Sequence, residues 1–213
     1  MPTEKTYKIR TKRRNLFLKV ARGHFATSHS HVNYYIDITT QKARLSEATA
    51  LAKELVSYYS ANTVVDTVLC LDGTEVIGTC VARELTEGNF MNLNAHQTIY
   101  VVTPEHTTGS QLIFRDNVAP MIVGKNVLIL AASVVTGYTV QAAVEAIKYY
   151  GGTVAGISSI FATVEECMGY PVRSVFDPND LEGYASYPSH ECPLCKKGIR
   201  IDALVNSYGF SKL

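Results

Sequence analysis

Ser133, Thr136, Gly137, Tyr138 and Thr139 stand between the most apolar run of the chain, residues 127–132, and a stripe made by Val140, Ala143, Val144 and Ile147. A strand, then a turn with hydroxyls and one glycine, then a helix is an arrangement that can hold an anion. The first N–H groups of a helix have no internal partner, and the helix dipole favours negative charge beside them. Gly137 lets the backbone approach a ligand closely. An ordinary capped connection, with Thr139 as N-cap, fits the same residues.

Thiols and imidazoles form further groups. Cys192 and Cys195 make a Cys-x-x-Cys pair, with His190 two residues before it. A structural zinc ion needs four ligands, so Cys167 or a second subunit would have to complete this set. A reduced pair in a tight turn is the simpler reading. His24, His29 and His31 also cluster, in a pattern that fits metal or phosphate contacts. No Gly-x-Ser-x-Gly, His-Glu-x-x-His or Walker pattern occurs in the sequence, which argues against a hydrolase or a nucleoside triphosphatase.

The elements that must position these residues alternate. Ala48, Leu51, Ala52, Leu55 and Tyr58 form the apolar stripe of a helix over residues 46–59. Residues 64–70 are β-branched and apolar, a buried strand. Residues 74–85 return to a helical stripe through Val76, Ile77, Cys80 and Val81. Strands follow at 98–102 and 127–132, then a helix at 139–150 ended by Gly151 and Gly152, then strands at 153–161 and 172–176. Strands that alternate with helices predict βαβ units, hence an α/β fold with a mostly parallel sheet covered on both faces. In such a sheet, ligands sit beyond the carboxyl ends of the strands.

With 213 residues, 46% hydrophobic and 18% charged, the chain can form one sizeable core with a small appendage, and wholesale disorder is excluded. Its mean hydropathy is +0.04, and no apolar run is long enough to span a bilayer. No apolar stretch follows the basic start, so no secretory signal is expected. Five cysteines scattered through the chain do not make a disulfide framework, and a cytoplasmic protein is the expectation. The net charge of +1 is unevenly distributed. Residues 1–22 carry eight basic side chains and one acid, leaving a net −6 on the rest. Such an arm can be solvated, can dock on an acidic face of its own or a sister subunit, or can grip nucleic acid. No aromatic interleaving supports the last.

The segment from residue 127 to 139 resembles the signature of type I phosphoribosyltransferases, in which a strand is followed by two acids, two small apolar residues and Thr-Thr-Gly-Gly-Thr. Thr136, Gly137 and Thr139 match the loop that cradles the 5′-phosphate of phosphoribosyl pyrophosphate, while Val135 and Tyr138 depart from it. Residues 23–37 are similar to the hood of the orotate phosphoribosyltransferase branch. The turn Leu71-Asp72-Gly73-Thr74 resembles the family's pyrophosphate loop, and Cys-Pro-Leu-Cys near the end resembles a segment of some orotate enzymes. The resemblance implies an N-terminal arm and hood at 1–45, a phosphoribosyltransferase-like core at 46–177 and a tail at 178–213. It implies Asp72, Gly73, Thr74 and Glu75 on the pyrophosphate side, Ser28, Tyr34 and Tyr35 at the base, Mg²⁺ with the donor, and a homodimer.

Two departures bear on activity. The acidic pair that would hold the ribose hydroxyls is replaced by Ala131 and Ala132, which removes about two charge-assisted hydrogen bonds of roughly 1.5–3 kcal/mol each. The stretch at 103–117, where the family carries a cationic loop, keeps Glu105, His106 and Arg115 but has no lysine. Lys125, Arg115 or the basic arm are the candidates to replace those cations. Two functions therefore stand side by side: phosphoribosyl transfer to a pyrimidine-type base, and a nucleotide sensor that keeps the pocket without the chemistry. A nucleic-acid-binding regulator using residues 1–22 is a third.

Overall fold

The computed structural model describes residues 6–10, 16–87, 92–95, 97–108 and 111–213. In chain order the elements are β1 (Tyr7–Arg10), β2 (Phe17–Ala26), β3 (His31–Asp37), α1 (Thr39–Ala43), α2 (Leu45–Val56), β4 (Thr67–Cys70), α3 (Glu75–Thr86), β5 (Tyr100–Val102), β6 (Glu105–His106), β7 (Leu112–Ile113), β8 (Asn126–Val134), α4 (Tyr138–Tyr149), β9 (Thr153–Ala162), β10 (Glu166–Cys167), β11 (Tyr170–Phe176), β12 (Ser186–Tyr187), α5 (Pro193–Lys196), β13 (Ala203–Asn206) and β14 (Gly209–Lys212). They fall into two compact units, Gln41–Val175 and the two ends of the chain, Met1–Thr40 with Phe176–Leu213.

The larger unit holds a six-stranded sheet in the order β10-β11-β9-β8-β4-β5. Strands β5, β4, β8 and β9 run parallel, with Thr67 opposite both Tyr100 and Val127 and with Asn126 opposite Thr153. From Val127 to Ala132, β8 is buried at every position, as expected for a central strand covered on both faces. Helix α2 buries Ala48, Leu51, Ala52 and Leu55, and α3, which packs beside it, buries Ile77, Cys80, Val81 and Leu85. Helix α4 buries Val140, Ala143, Val144 and Ile147 among Leu69, Val127, Ile129 and Ile157. It ends at Gly151, whose φ of +75° lets the chain turn back, with the Gly152 N–H donating to the Ile147 carbonyl at 2.9 Å.

The expected strand at 64–70 begins only at Thr67. The Val65 N–H donates to Asn94 Oδ1 (2.8 Å), and the Asp66 carboxylate accepts from the Asn126 backbone (2.7 Å) and side-chain amide (2.8 Å). Side-chain partners thus take the place of ladder bonds ahead of β4.

In the smaller unit the strands follow the order β12-β3-β2-β13-β14, with β1 also paired to β2. Two pairings join the two ends of the chain: β13 runs parallel to β2, with Ala203 opposite Phe25, and β12 runs antiparallel to β3, with Ser186 opposite Val32. Ala21, Phe25, Val32, Tyr35, Ala203 and Val205 form its small core. A two-stranded hairpin is marginal alone, so each end supplies apolar surface the other lacks. Part of the basic arm lies here. Lys19 pairs with Asp37 at 2.8 Å, Arg22 reaches Glu182 at 3.7 Å, and Lys8 and Arg10 lie over the Phe17 ring. Lys5, Lys12, Arg13 and Arg14 lie outside the described residues.

Candidate functional site

Strand β8 ends at Val134, and three residues later Gly137 opens α4 with φ +81° and ψ −7°. The positive φ is why glycine stands there and why the helix starts at Tyr138. Thr139 is the second helical residue, not the N-cap, and no side chain caps this helix start. Thr136, Tyr138 and Thr139 are exposed, and Ser133 is half-buried. The loop is held from below. The Thr163 hydroxyl donates to the Val135 carbonyl at 2.8 Å, and Cys167 Sγ lies 3.8 Å from the Gly137 carbonyl. A twelve-residue helix without a side-chain cap, flanked by exposed hydroxyls, is suited to an anion.

Beside it, at the carboxyl end of the adjacent parallel strand β4, lies the turn from Leu71 to Glu75. Asp72 and Gly73 both take positive φ, +58° and +76°, which is uncommon for an aspartate. Thr74 is fully buried, and its hydroxyl lies between the carbonyls of Leu71 (2.8 Å) and Leu130 (3.0 Å). It ties the turn to strand β8 and is structural. Lys42 Nζ donates to the Asp72 carbonyl at 2.7 Å. Burial holds the Lys42 ammonium below the usual lysine range, with Asp72 and Glu75 pulling the other way. This lysine puts a cation on the turn; the sequence showed no sign of it, because the contact spans 30 positions.

The expected replacement cations are placed otherwise. Arg115 makes two bonds of 2.6 Å to the Glu105 carboxylate, so its charge is matched inside its own segment. Lys125 precedes β8 and stands at the amino end of the strand, away from the loops. Ala131 and Ala132 are both fully buried. Ala131 stands opposite Ser159, whose buried Oγ has no hydrogen-bond partner.

In the smaller unit, Ser28 is exposed in the turn between β2 and β3. Tyr34 is buried: its hydroxyl accepts from Arg22 Nε at 2.5 Å and donates to the Glu182 carbonyl at 2.8 Å. Tyr35 packs between Phe25 and Phe210, and burial pushes its hydroxyl up to about 12. Both rings belong to the interior of their unit.

Cys192 and Cys195 do come together with histidines, but not with the one nearest in sequence. His190 points to Glu191, at 3.3 Å, and Cys167 belongs to the other unit. Their companions are His24 and His31. His29 is exposed and lies outside that group.

No family model matches the chain. The orotate phosphoribosyltransferase of Chlorobaculum parvum is 29% identical over 185 residues, covering 85% of this chain and 86% of the relative. The crystal structure of the Mycobacterium tuberculosis orotate phosphoribosyltransferase matches with a TM-score of 0.55 at 19% identity, over 77% of this chain and 92% of that one. The same enzyme in complex with 5-phospho-α-D-ribosyl 1-diphosphate matches with a TM-score of 0.51 at 18% identity, over 69% and 82%. The chain is thus similar in sequence to orotate phosphoribosyltransferases, and it has the phosphoribosyltransferase fold. In this chain, the loop after β8 and the turn after β4 are the neighbouring structures at the carboxyl end of the parallel sheet. The membrane question has a plain answer: among the described residues, no helix is long and apolar enough to cross one.

Proposed function

We propose that this protein transfers a phosphoribosyl group from phosphoribosyl pyrophosphate to a pyrimidine-type base. The observation that carries the reading is the open start of α4, with Gly137 at its mouth and Thr136 and Thr139 exposed beside it. Ser133, Thr136, Gly137, Tyr138 and Thr139 hold the 5′-phosphate through backbone N–H groups and hydroxyls. The turn bearing Asp72, Gly73 and Glu75 receives the pyrophosphate side, where Lys42 supplies positive charge. Thr74 acts by holding that turn to Leu130. Of the three residues expected at the base, Ser28 keeps an exposed hydroxyl and is the proposed contact. Relatives that carry out this transfer by name support the assignment.

Transfer builds positive charge on the sugar and negative charge on the departing pyrophosphate, so stabilisation of both is the main requirement. The end of β8 does not fit a magnesium ion or the ribose hydroxyls, because Ala131 and Ala132 are buried and supply no side-chain oxygen. The carboxylates on the adjacent turn are those of Asp72 and Glu75. The alanines favour a second reading, a nucleotide sensor that binds at the same loop without turnover.

Calorimetric titration with phosphoribosyl pyrophosphate, with and without Mg²⁺, and with uridine 5′-monophosphate, separates these, followed by an assay with orotate. Binding of the pyrophosphate with turnover of orotate is expected. Binding of the monophosphate alone, indifferent to Mg²⁺, supports the sensor. If neither binds, the loop after β8 is not a phosphate site.

A further inference from the structure

We propose that His24, His31, Cys192 and Cys195 bind one zinc ion in the unit formed by the two ends of the chain. Their four ligand atoms all lie within 4.8 Å of one another. His24 Nε2 is 3.1 Å from His31 Nδ1, 3.5 Å from Cys192 Sγ and 3.6 Å from Cys195 Sγ, and Cys195 Sγ is 3.3 Å from His31 Nδ1. Zn–N bonds of about 2.0–2.1 Å and Zn–S bonds of about 2.3 Å give tetrahedron edges of about 3.4 Å between nitrogens and about 3.6 Å between nitrogen and sulfur. The four side chains therefore already stand near the corners of a zinc tetrahedron.

Hydrogen bonding alone does not account for the convergence. His24 Nδ1 lies 2.9 Å from the Ile199 carbonyl. A carbonyl only accepts, so Nδ1 carries a proton, and in the neutral ring Nε2 presents a lone pair. One lone pair takes one proton, yet a nitrogen and two sulfurs crowd around it. The same bond to Ile199 is the outer contact that orients a metal-binding imidazole. Asp202 adds to it, accepting from the His24 N–H at 2.8 Å and donating its own N–H to the His24 carbonyl at 2.7 Å.

The local backbone fits as well. In β2 the register shifts between Arg22 and Phe25, a bulge that re-aims His24. The thiols stand at two corners of a tight turn through α5. There the Lys196 N–H donates to the Cys192 carbonyl at 3.1 Å and the Gly198 N–H to the Cys195 carbonyl at 2.9 Å. Both cysteines are free thiols. His24 and Cys192 are buried to 1% exposure while Cys195 is exposed, so the cluster is enclosed on one side and reachable from the other. Two thiolates and two imidazoles in a tetrahedron select zinc over the harder divalent ions. On binding, the two thiols give up their protons to solvent. The ion clips together segments 168 positions apart in a unit whose apolar core is small.

The test is the metal content of the full chain, purified under reducing conditions without chelator and after incubation with zinc, together with absorption spectra after cobalt replaces zinc. About one zinc per chain is expected, with tetrahedral visible bands and thiolate-to-cobalt charge transfer in the near ultraviolet. Cys195→Ser and His31→Ala should weaken binding at least about tenfold, as measured by chelator competition, while His190→Ala and Cys167→Ser leave it unchanged. The cobalt spectrum of the unaltered chain decides the matter should a variant misfold. A zinc-free chain after incubation, a cobalt spectrum without charge transfer, or loss of zinc in His190→Ala would each overturn the proposal. None of these readouts depends on transferase activity.

Discussion

Thr139 stands second in α4, with its exposed hydroxyl beside N–H groups that the helix leaves without internal partners. A hydrogen bond to a charged phosphate is worth roughly 1.5–3 kcal/mol, and exposure argues for the lower end. Thr139→Val should therefore weaken uridine 5′-monophosphate binding about tenfold by calorimetry without moving the thermal midpoint. Unchanged affinity would remove this hydroxyl from the site. Much of the candidate loop was legible in the sequence because its determinants are adjacent along the chain: an apolar strand, a glycine, hydroxyls, a helical stripe. Lys42 was not legible, since nothing in its neighbours marks it. It acquires a role only where α1 meets the Asp72 carbonyl. Arg115 shows the converse, a cation that looked available and is paired with Glu105.

Among the elements, α3 sets the turn that follows β4, and Gly78 sets how closely that helix approaches the strand. A Cβ at Gly78 would run into Cys70 Sγ and stand 3.4 Å from the Val68 and Val101 side chains. Overpacking costs about 1–3 kcal/mol, and the helix gains about 1 kcal/mol when glycine becomes alanine. Gly78→Ala should thus lose about 1 kcal/mol in urea unfolding, the middle of the overpacking cost less the helix gain. A neutral or stabilised variant would show that α3 can move away from the sheet. Helix positions followed from the period of apolar residues, so α2, α3 and α4 begin and end within a few residues of expectation. Strand starts were less legible. Asn94 and Asp66 capture backbone and side-chain donors ahead of β4, and such polar contacts leave no periodic trace.

Across the molecule, burial raises several acids in both units. Cys70, ordinarily 9.0, and Tyr59, ordinarily 10.0, are each pushed up to about 12, as are Tyr35 and Tyr184. Each is protonated when folded and ionises earlier when unfolded. The stability they contribute is therefore complete below pH 9 and is lost between about pH 9 and pH 12. Thermal midpoints measured across that range should fall, and Tyr59→Phe should fall less steeply above pH 10 than the unaltered chain. A flat profile would mean these groups reach solvent. Composition, period and local motif determined the α/β class, the covered parallel strands and the loop after β8, because each depends on residues near one another along the chain. Only the tertiary structure decided that the first and last segments share a sheet through β2 and β13, and that Cys192 and Cys195 meet His24 and His31 rather than His190. Those pairings rest on closing most of the chain into a loop, and a distant partner imprints no pattern on the residues that await it.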